Sequence, residues 1–189
     1  MPRHADPALE QRILKAARKL WKNGGEHALT MRAVAKEART TTPTVYERFP
    51  SRRKILQALC VETRQKLFAL LKGATSTREA CELYLEFASR HPHEYELLSA
   101  GWSKPPSVNE QWPSFNLLKE RLALRYGGTP QDYHRFGLSV WALLHGTAML
   151  IVVGKTAQDL KVEMRLACLE AIEALGTTLE TAAATRRKG

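Results

Sequence analysis

Cysteine is scarce in this chain, with three in 189 residues, at positions 60, 81 and 168. No two of them stand in CxxC spacing and the number is odd, which excludes a disulfide framework or a thiolate zinc site. They read as small core residues in a reducing cytosol. Glycine-rich phosphate loops are missing as well. So are HExxH and any Ser/His/Asp or Cys/His grouping with the spacing of an activated nucleophile. No catalytic residue, metal or other cofactor is therefore assigned, and an enzyme is not the favoured reading. His91–Pro92–His93–Glu94 holds metal-capable groups, but the proline leaves the two histidines without a common orientation, and a helix-end turn is the plainer reading. Long hydrophobic runs are lacking too. The longest nearly apolar stretch, Val140–Val153, is interrupted by His145 and Gly146 and is too short to span a bilayer, and the N-terminus has no signal-peptide core. A cytoplasmic protein with no membrane partner is expected. Period-two alternation is absent and apolar spacing near 3.6 dominates, so the expected fold is all-α.

Negative charge is thin at one end only. The first 54 residues carry 13 Lys/Arg against 5 Asp/Glu, which is +8 of the formal net charge of +10, whereas residues 55–189 carry 16 against 14. A basic head on a nearly neutral body is the electrostatic footprint of a polyanion-binding domain joined to one with another task. A hydrophobic content of 44% excludes wholesale disorder, and the length suits one or two small domains.

Within the head, Thr30–Lys54 reads as two short helices joined by a tight turn and followed by Arg52–Arg53–Lys54. Thr30 caps the first helix, which buries Val34 and Ala35. After a break at Arg39–Thr42, Thr41 or Thr42 caps the second, with Pro43 in its first turn, where a missing N–H is harmless. This second helix ends before Pro50. It is too short to stand alone in water and must be held by Val45 and Phe49, leaving Thr42, Thr44 and Glu47 or Arg48 to face outward. A preceding helix, about Pro7–Asn23, is expected to carry Asp6 as its N-cap, Gly24 in a left-handed C-terminal position, and a stripe of Leu9, Ile13, Ala16, Ala17 and Leu20. Its cations Arg12, Lys15, Arg18, Lys19 and Lys22 read mainly as a solvated face, and Arg3 and His4 precede it in a polar arm.

The run Ala38–x–x–Thr41–x–Pro43–Thr44–Val45–Tyr46–x–x–Phe49–Pro50–Ser51–Arg52, with Leu29–Thr30–x–Arg32 and Val34–Ala35 before it, resembles the DNA-binding signature of the tetracycline-repressor (TetR) family. It differs at Arg39, where the family usually has a glycine, and at Thr40, where it usually has a valine. A residue with a Cβ is strained at positive φ, so a locally adjusted turn is expected. The resemblance implies a helix-turn-helix domain over residues 1–51 and a helical effector-binding and dimerisation domain over 52–189. It implies that Arg32 and Thr42 reach base edges, that Pro43 and Thr44 meet thymine methyl or backbone, and that Tyr46 and Arg52 hold phosphates, with Arg48 in the same DNA-binding set.

Beyond the head, helices are expected at about 52–71, from Ser76 to His91, across HPHEYELLSAGW, at 115–126, 131–153 and from 158 to 175 or beyond. Residues 103–113 read as a loop and Gly127–Gly128–Thr129–Pro130 as a break. The helix at 52–71 would couple head to body. Aromatic residues gather in the body, and Phe87, Tyr95, Trp102, Trp112, Phe115, Trp141 and His145 form the candidate lining of a mostly apolar ligand site. His145, on an apolar helix, reads either as a core histidine bonded to a carbonyl or as a ligand contact. Trp141–Gly146, WALLHG, resembles the penultimate helix of many TetR-type proteins. The helix at 131–153 is apolar nearly all round and so needs burial on two faces. Ser139, Ala142, Gly146, Met149 and Val153, with Leu160, Met164, Ala167, Ala171 and Leu175 on the last helix, form the expected seam of a homodimer.

The expected protein is a one-component transcription regulator, usually a repressor in chains of this appearance. It would bind double-stranded, palindromic operator DNA as a homodimer and be released by a small effector. Two other readings stay open: a DNA-binding regulator whose body meets a protein partner or nothing, and a small all-α enzyme with a basic extension.

Overall fold

The computed structural model describes residues 7–99, 112–154 and 156–186, and every element among them is helical. In chain order these are α1 (Pro7–Ala28), α2 (Met31–Glu37), α3 (Thr42–Arg48), α4 (Arg52–Lys72), α5 (Thr77–Arg90), α6 (Pro92–Ser99), α7 (Pro113–Tyr126), a single 3-10 turn (Pro130–Tyr133), α8 (His134–Val153) and α9 (Gln158–Arg186). Packing gathers the described parts of Met1–Gln65 with His91–Pro105 into one compact unit, and those of Lys66–Arg90 with Pro106–Gly189 into another. The expected division at residues 51/52 follows the motif. Packing draws the first part of α4 and the whole of α6 into the head, because Ile55, Leu56, Leu59, Cys60 and Leu97 are buried in the same cluster as Ile13, Ala17, Val34 and Val45.

Side chains set the ends of these helices. The Thr30 hydroxyl accepts the Ala33 N–H at 3.1 Å and the Thr41 hydroxyl accepts that of Thr44 at 3.3 Å, so each helix of the pair begins on a threonine cap. Ser76 caps α5 by accepting the Glu79 N–H at 3.1 Å, and the Glu79 carboxylate reaches back to the backbone N–H of Thr75 at 2.6 Å. Those Thr75 bonds hold the Glu79 carboxyl below its ordinary range. Before α8, Gly127 and Gly128 both take positive φ (83° and 79°), and the Asp132 carboxylate accepts the Thr129 N–H at 2.8 Å.

In the head, α1 is kinked and the left-handed position falls one residue later than expected. Gly24 has φ −152°, and Gly25 has φ 57°. A Cβ on Gly25 would stand 3.1 Å from the His93 ring, so this is a position where both the backbone angle and the approach of α6 require glycine. The Trp21 indole N–H donates to the His93 carbonyl, and the His93 imidazole sits 3.1 Å from Glu96. His93 thus serves the packing of α6 on α1. No group of three metal-capable side chains occurs among the described residues.

In the body, α8 packs with α5, α7 and α9. Gly137, Val140, Leu144, Ala148 and Ile151 form its buried stripe, at the spacings of one helical face. The fourteen-residue apolar run understated this element. Pro130–Val153 is long and apolar enough, by length and composition, to cross a membrane, its most apolar 18-residue stretch having a mean hydropathy of 1.9. It packs in a folded helical unit with one face buried against α5, α7 and α9 and another still open. Cys60, Cys81 and Cys168 are buried thiols, and burial, followed by Cys168 and Glu82, pushes the Cys81 thiol up to about 12.

Candidate functional site

α3 is held as its length requires. Val45 and Phe49 are buried beneath it, and Pro43, Tyr46 and Glu47 are exposed on the other side. Thr42, Thr44 and Arg48 are half-buried, so the open face is led by Pro43 and Tyr46 more than by the threonines. The Thr44 hydroxyl lies 2.8 Å from that of Thr41, which ties it to the cap. Arg32, on α2, is exposed. The Arg48 Nε is buried without a hydrogen-bond partner among the described residues.

Arg52 has a different occupation from the one expected of it. Its Nε donates to the Leu29 carbonyl at 2.7 Å, one terminal nitrogen to the Glu26 carbonyl at 2.8 Å and the other to the Glu26 carboxylate at 3.1 Å. Three of its five donors are thereby committed to the segment that joins α1 to α2, leaving it a clamp on the fold before it is a ligand for phosphate. Glu26, His27, Leu29, Thr30, Met31, Tyr46 and Arg52 line an open depression of ≈ 600 Å³ beside this clamp.

The turn between α2 and α3 is not adjusted to avoid strain. Arg39 has φ 54°, the sole positive φ outside glycine among the described residues. The Thr40 N–H bonds the Ala35 carbonyl at 2.9 Å and the Arg39 N–H bonds that of Lys36 at 3.2 Å, the paired bonds of a Schellman motif. The end of α2 is hydrogen-bonded as a glycine would leave it, at a cost of roughly 1–2 kcal/mol for the Cβ.

Two of the five α1 cations belong to the fold. Arg18 pairs with Glu62 and Lys19 with Glu37, each at 2.7 Å. Arg32, Lys36 and Arg39 are exposed, and no ion pair holds them among the described residues. From the sequence only Arg32 of these three was expected at the DNA, Arg39 being noted for its turn alone. The spacing i, i+4, i+7 was the signal for the other two.

In the body, four of the seven candidate ligand residues meet. Trp112 and Trp141 lie edge to face at 5.0 Å between centroids, Trp141 stacks on His145 at 5.2 Å, and Phe115 is 6.2 Å from Trp112. All four are half-buried. Gly137 allows this, since a Cβ there would stand 3.0 Å from the Phe115 ring. The Lys119 ammonium sits over that ring at 5.2 Å. Burial lowers the His145 pKa below its ordinary 6.5. No ring contact ties Phe87 to this cluster among the described residues, and Tyr95 belongs to the head. They are 3% and 1% exposed, Phe87 in the core of the body and Tyr95 in the head, because α6 packs there. Trp102, Arg3, His4 and Asp6 lie outside the described residues, as does most of the loop expected at 103–113.

The expected seam stays off the core. Ser139, Ala142, Gly146 and Val153 on α8 and Leu160 and Ala167 on α9 are exposed, and Met149, Met164, Ala171 and Leu175 are half-buried. Nothing among the described residues stands within 4 Å of a Cβ built on Gly146. Leu138, Leu150, Val162 and Leu166 are exposed on the same two helices. Cys168, by contrast, is buried within the body.

Comparison with known proteins places these features in context. Residues 13–59 match the family model of bacterial regulatory proteins, tetR family, and residues 77–184 match that of the tetracyclin repressor-like C-terminal domain. Comparison with curated proteins finds no match. Among solved structures, the multidrug binding protein EbrR complexed with malachite green is similar at 18% identity and a TM-score of 0.59, over 87% of this chain and 96% of that one. A TetR-like transcriptional regulator from Rhodococcus sp. RHA1 is similar at 18% identity and a TM-score of 0.55, over 92% and 96%. TetR from Acinetobacter baumannii AYE is similar at 17% identity and a TM-score of 0.57, over 93% and 95%. At these identities the likeness is one of fold.

Proposed function

We propose that this chain, which belongs to the tetR family of bacterial regulatory proteins and is by that membership a DNA-binding transcriptional regulator, acts as a homodimeric repressor released by a small, mostly apolar effector. The observation that carries the reading is the head: two threonine-capped helices held from behind by Val45 and Phe49, with Pro43, Tyr46 and Arg32 left open on a segment of net charge +8. Arg32 and Thr42 read base edges, Pro43 and Thr44 meet thymine methyl or backbone, and Tyr46 and Arg48 hold phosphate. Arg52 acts through the clamp on Glu26 and Leu29 that keeps α2 in place.

A seven-residue recognition helix reads too few base pairs to be specific alone. Two heads related by a twofold axis meet successive major grooves about 34–36 Å apart and require a palindrome. The open stripes of α8 and α9 supply the seam. The effector binds against Trp112, Phe115, Trp141 and His145, and EbrR shows that this fold can hold a small molecule. Release follows if the effector prefers the arrangement of the dimer that binds DNA less well.

Selection of bound duplexes from random DNA tests the reading first, and a palindrome of two half-sites one helical turn apart is the expected product. Tryptophan fluorescence titration with small apolar compounds, repeated with the selected duplex, tests the rest. Compounds that bind and leave DNA affinity unchanged would remove the effector from the proposal, and a single unpaired half-site would remove the dimer.

A further inference from the structure

Arg39 has no use in the contacts proposed so far. It occupies a backbone conformation that disfavours any residue with a Cβ, its side chain is exposed, and no ion pair among the described residues holds it. Glycine or asparagine would fill the same position with less strain, so the long cationic side chain does nothing there for the fold itself. Its neighbours add to the imbalance. Arg32 and Lys36 stand one turn apart on α2, both exposed and both without an ion pair among the described residues, and like charges at that spacing repel along a helix. The row of three cations ends two residues before Thr41, whose hydroxyl caps α3. A strained turn and an unneutralised row are both unfavourable in the free protein, and a polyanion laid along the row offsets both.

We propose that Arg39, with Lys36 beside it, binds a backbone phosphate of the DNA flanking the bases that α3 reads, so that the helix-turn-helix turn is itself a contact point. The inference rests on the DNA-binding reading above and adds to it a residue whose contribution is independent of base sequence.

The test uses the full-length protein and the duplex recovered by random selection, with affinity measured as a function of KCl. Each phosphate contact contributes about 0.9 to the slope of log affinity against log salt. Arg39→Asn, which tolerates left-handed backbone and lacks the charge, is expected to reduce that slope by about 1 per head and to weaken selected and unrelated duplexes by similar factors. Its thermal unfolding midpoint is expected to equal or exceed that of the native chain, and Arg39→Lys is expected to keep the slope. An unchanged slope in Arg39→Asn overturns the proposal, whatever happens to the midpoint. Equal losses in Arg39→Asn and Arg39→Lys also overturn it, since they would make the residue structural. A native protein that binds no duplex at all overturns the DNA-binding reading instead.

Discussion

The head and the body are incomplete in opposite ways. Within the head, Tyr46 and Val61 are the exposed large apolar side chains among the described residues, whereas the body exposes Leu70, Leu124, Leu138, Leu150, Val153, Leu160, Val162 and Leu166. Burial is therefore nearly finished in the head and unfinished along α8 and α9. Charge runs the other way. The first 54 residues hold +8 and leave Arg32, Lys36 and Arg39 without an ion pair among the described residues, while residues 55–189 are close to neutral and spend Arg78 on Glu82 and Glu173. An exposed apolar stripe is satisfied by another apolar surface, and a row of unpaired cations by a polyanion. The contrast shows which chemistry each unit lacks, and so which partner each is suited to.

The contrast breaks most sharply at Gly146. Among the described residues no atom stands within 4 Å of where its Cβ would go, and arginine is a better helix former than glycine, so Gly146→Arg is expected to leave the folded chain intact and to oppose only a second copy. Light scattering is expected to give a monomeric mass, with operator affinity down by about a hundredfold or more as the two heads lose their linkage. An unchanged dimer would remove the seam from α8.

Smaller effects separate contact from support within the head. Arg32→Ala is expected to weaken operator binding by roughly 1–3 kcal/mol with no change in the unfolding midpoint, as befits an exposed residue that reads a base. Arg52→Ala should do the reverse in the free protein, lowering unfolding free energy by about 1–2 kcal/mol because the Glu26 and Leu29 carbonyls lose a charged donor. Urea titration of the two variants compares them directly. Equal stability of Arg52→Ala and the native chain would return Arg52 to the role of a free phosphate ligand.

The smallest effect expected is a pH dependence of the body. Burial holds the folded-state pKa of His145 below 6.5, so the unfolded chain binds the proton more readily. Its contribution is therefore fully present above pH 6.5 and is lost as pH falls through the lower, folded value. Unfolding midpoints followed from pH 8 to pH 5 should decline in the native chain and decline less in His145→Gln. Parallel curves would show that other groups govern the acid limb.

Local events were legible before the structure was in hand. Thr30 caps one helix and Thr41, one of two candidates, caps the next, each through a bond to the residue three positions on, Pro43 sits where its lost N–H is harmless, and Val45 and Phe49 fall on the covered side of a two-turn helix. The all-helical class follows from the same short-range spacing. Of the α8 stripe expected to lie off the core, Ser139, Ala142, Gly146 and Val153 are exposed and Met149 is half-buried, in keeping with a helix apolar on all sides having more surface than one layer can cover.

Other features depended on which distant segments the fold brings together. Arg52 reaches residues 23 and 26 positions away, and nothing in its neighbourhood along the chain tells a phosphate ligand from a clamp. Gly25, and not Gly24, took the left-handed angle because the His93 ring packs against it from α6. Tyr95 went to the core of the head and Trp112 to the side of Trp141, although periodicity treats the two aromatics alike. By itself the sequence determined the helices, their caps, the uneven charge and the DNA-binding motif, because each is settled within a few residues of chain. Tertiary structure alone decided which cations remain unpaired and which aromatics meet. Those outcomes depend on distances in space, and contacts close in space can be far apart along the chain.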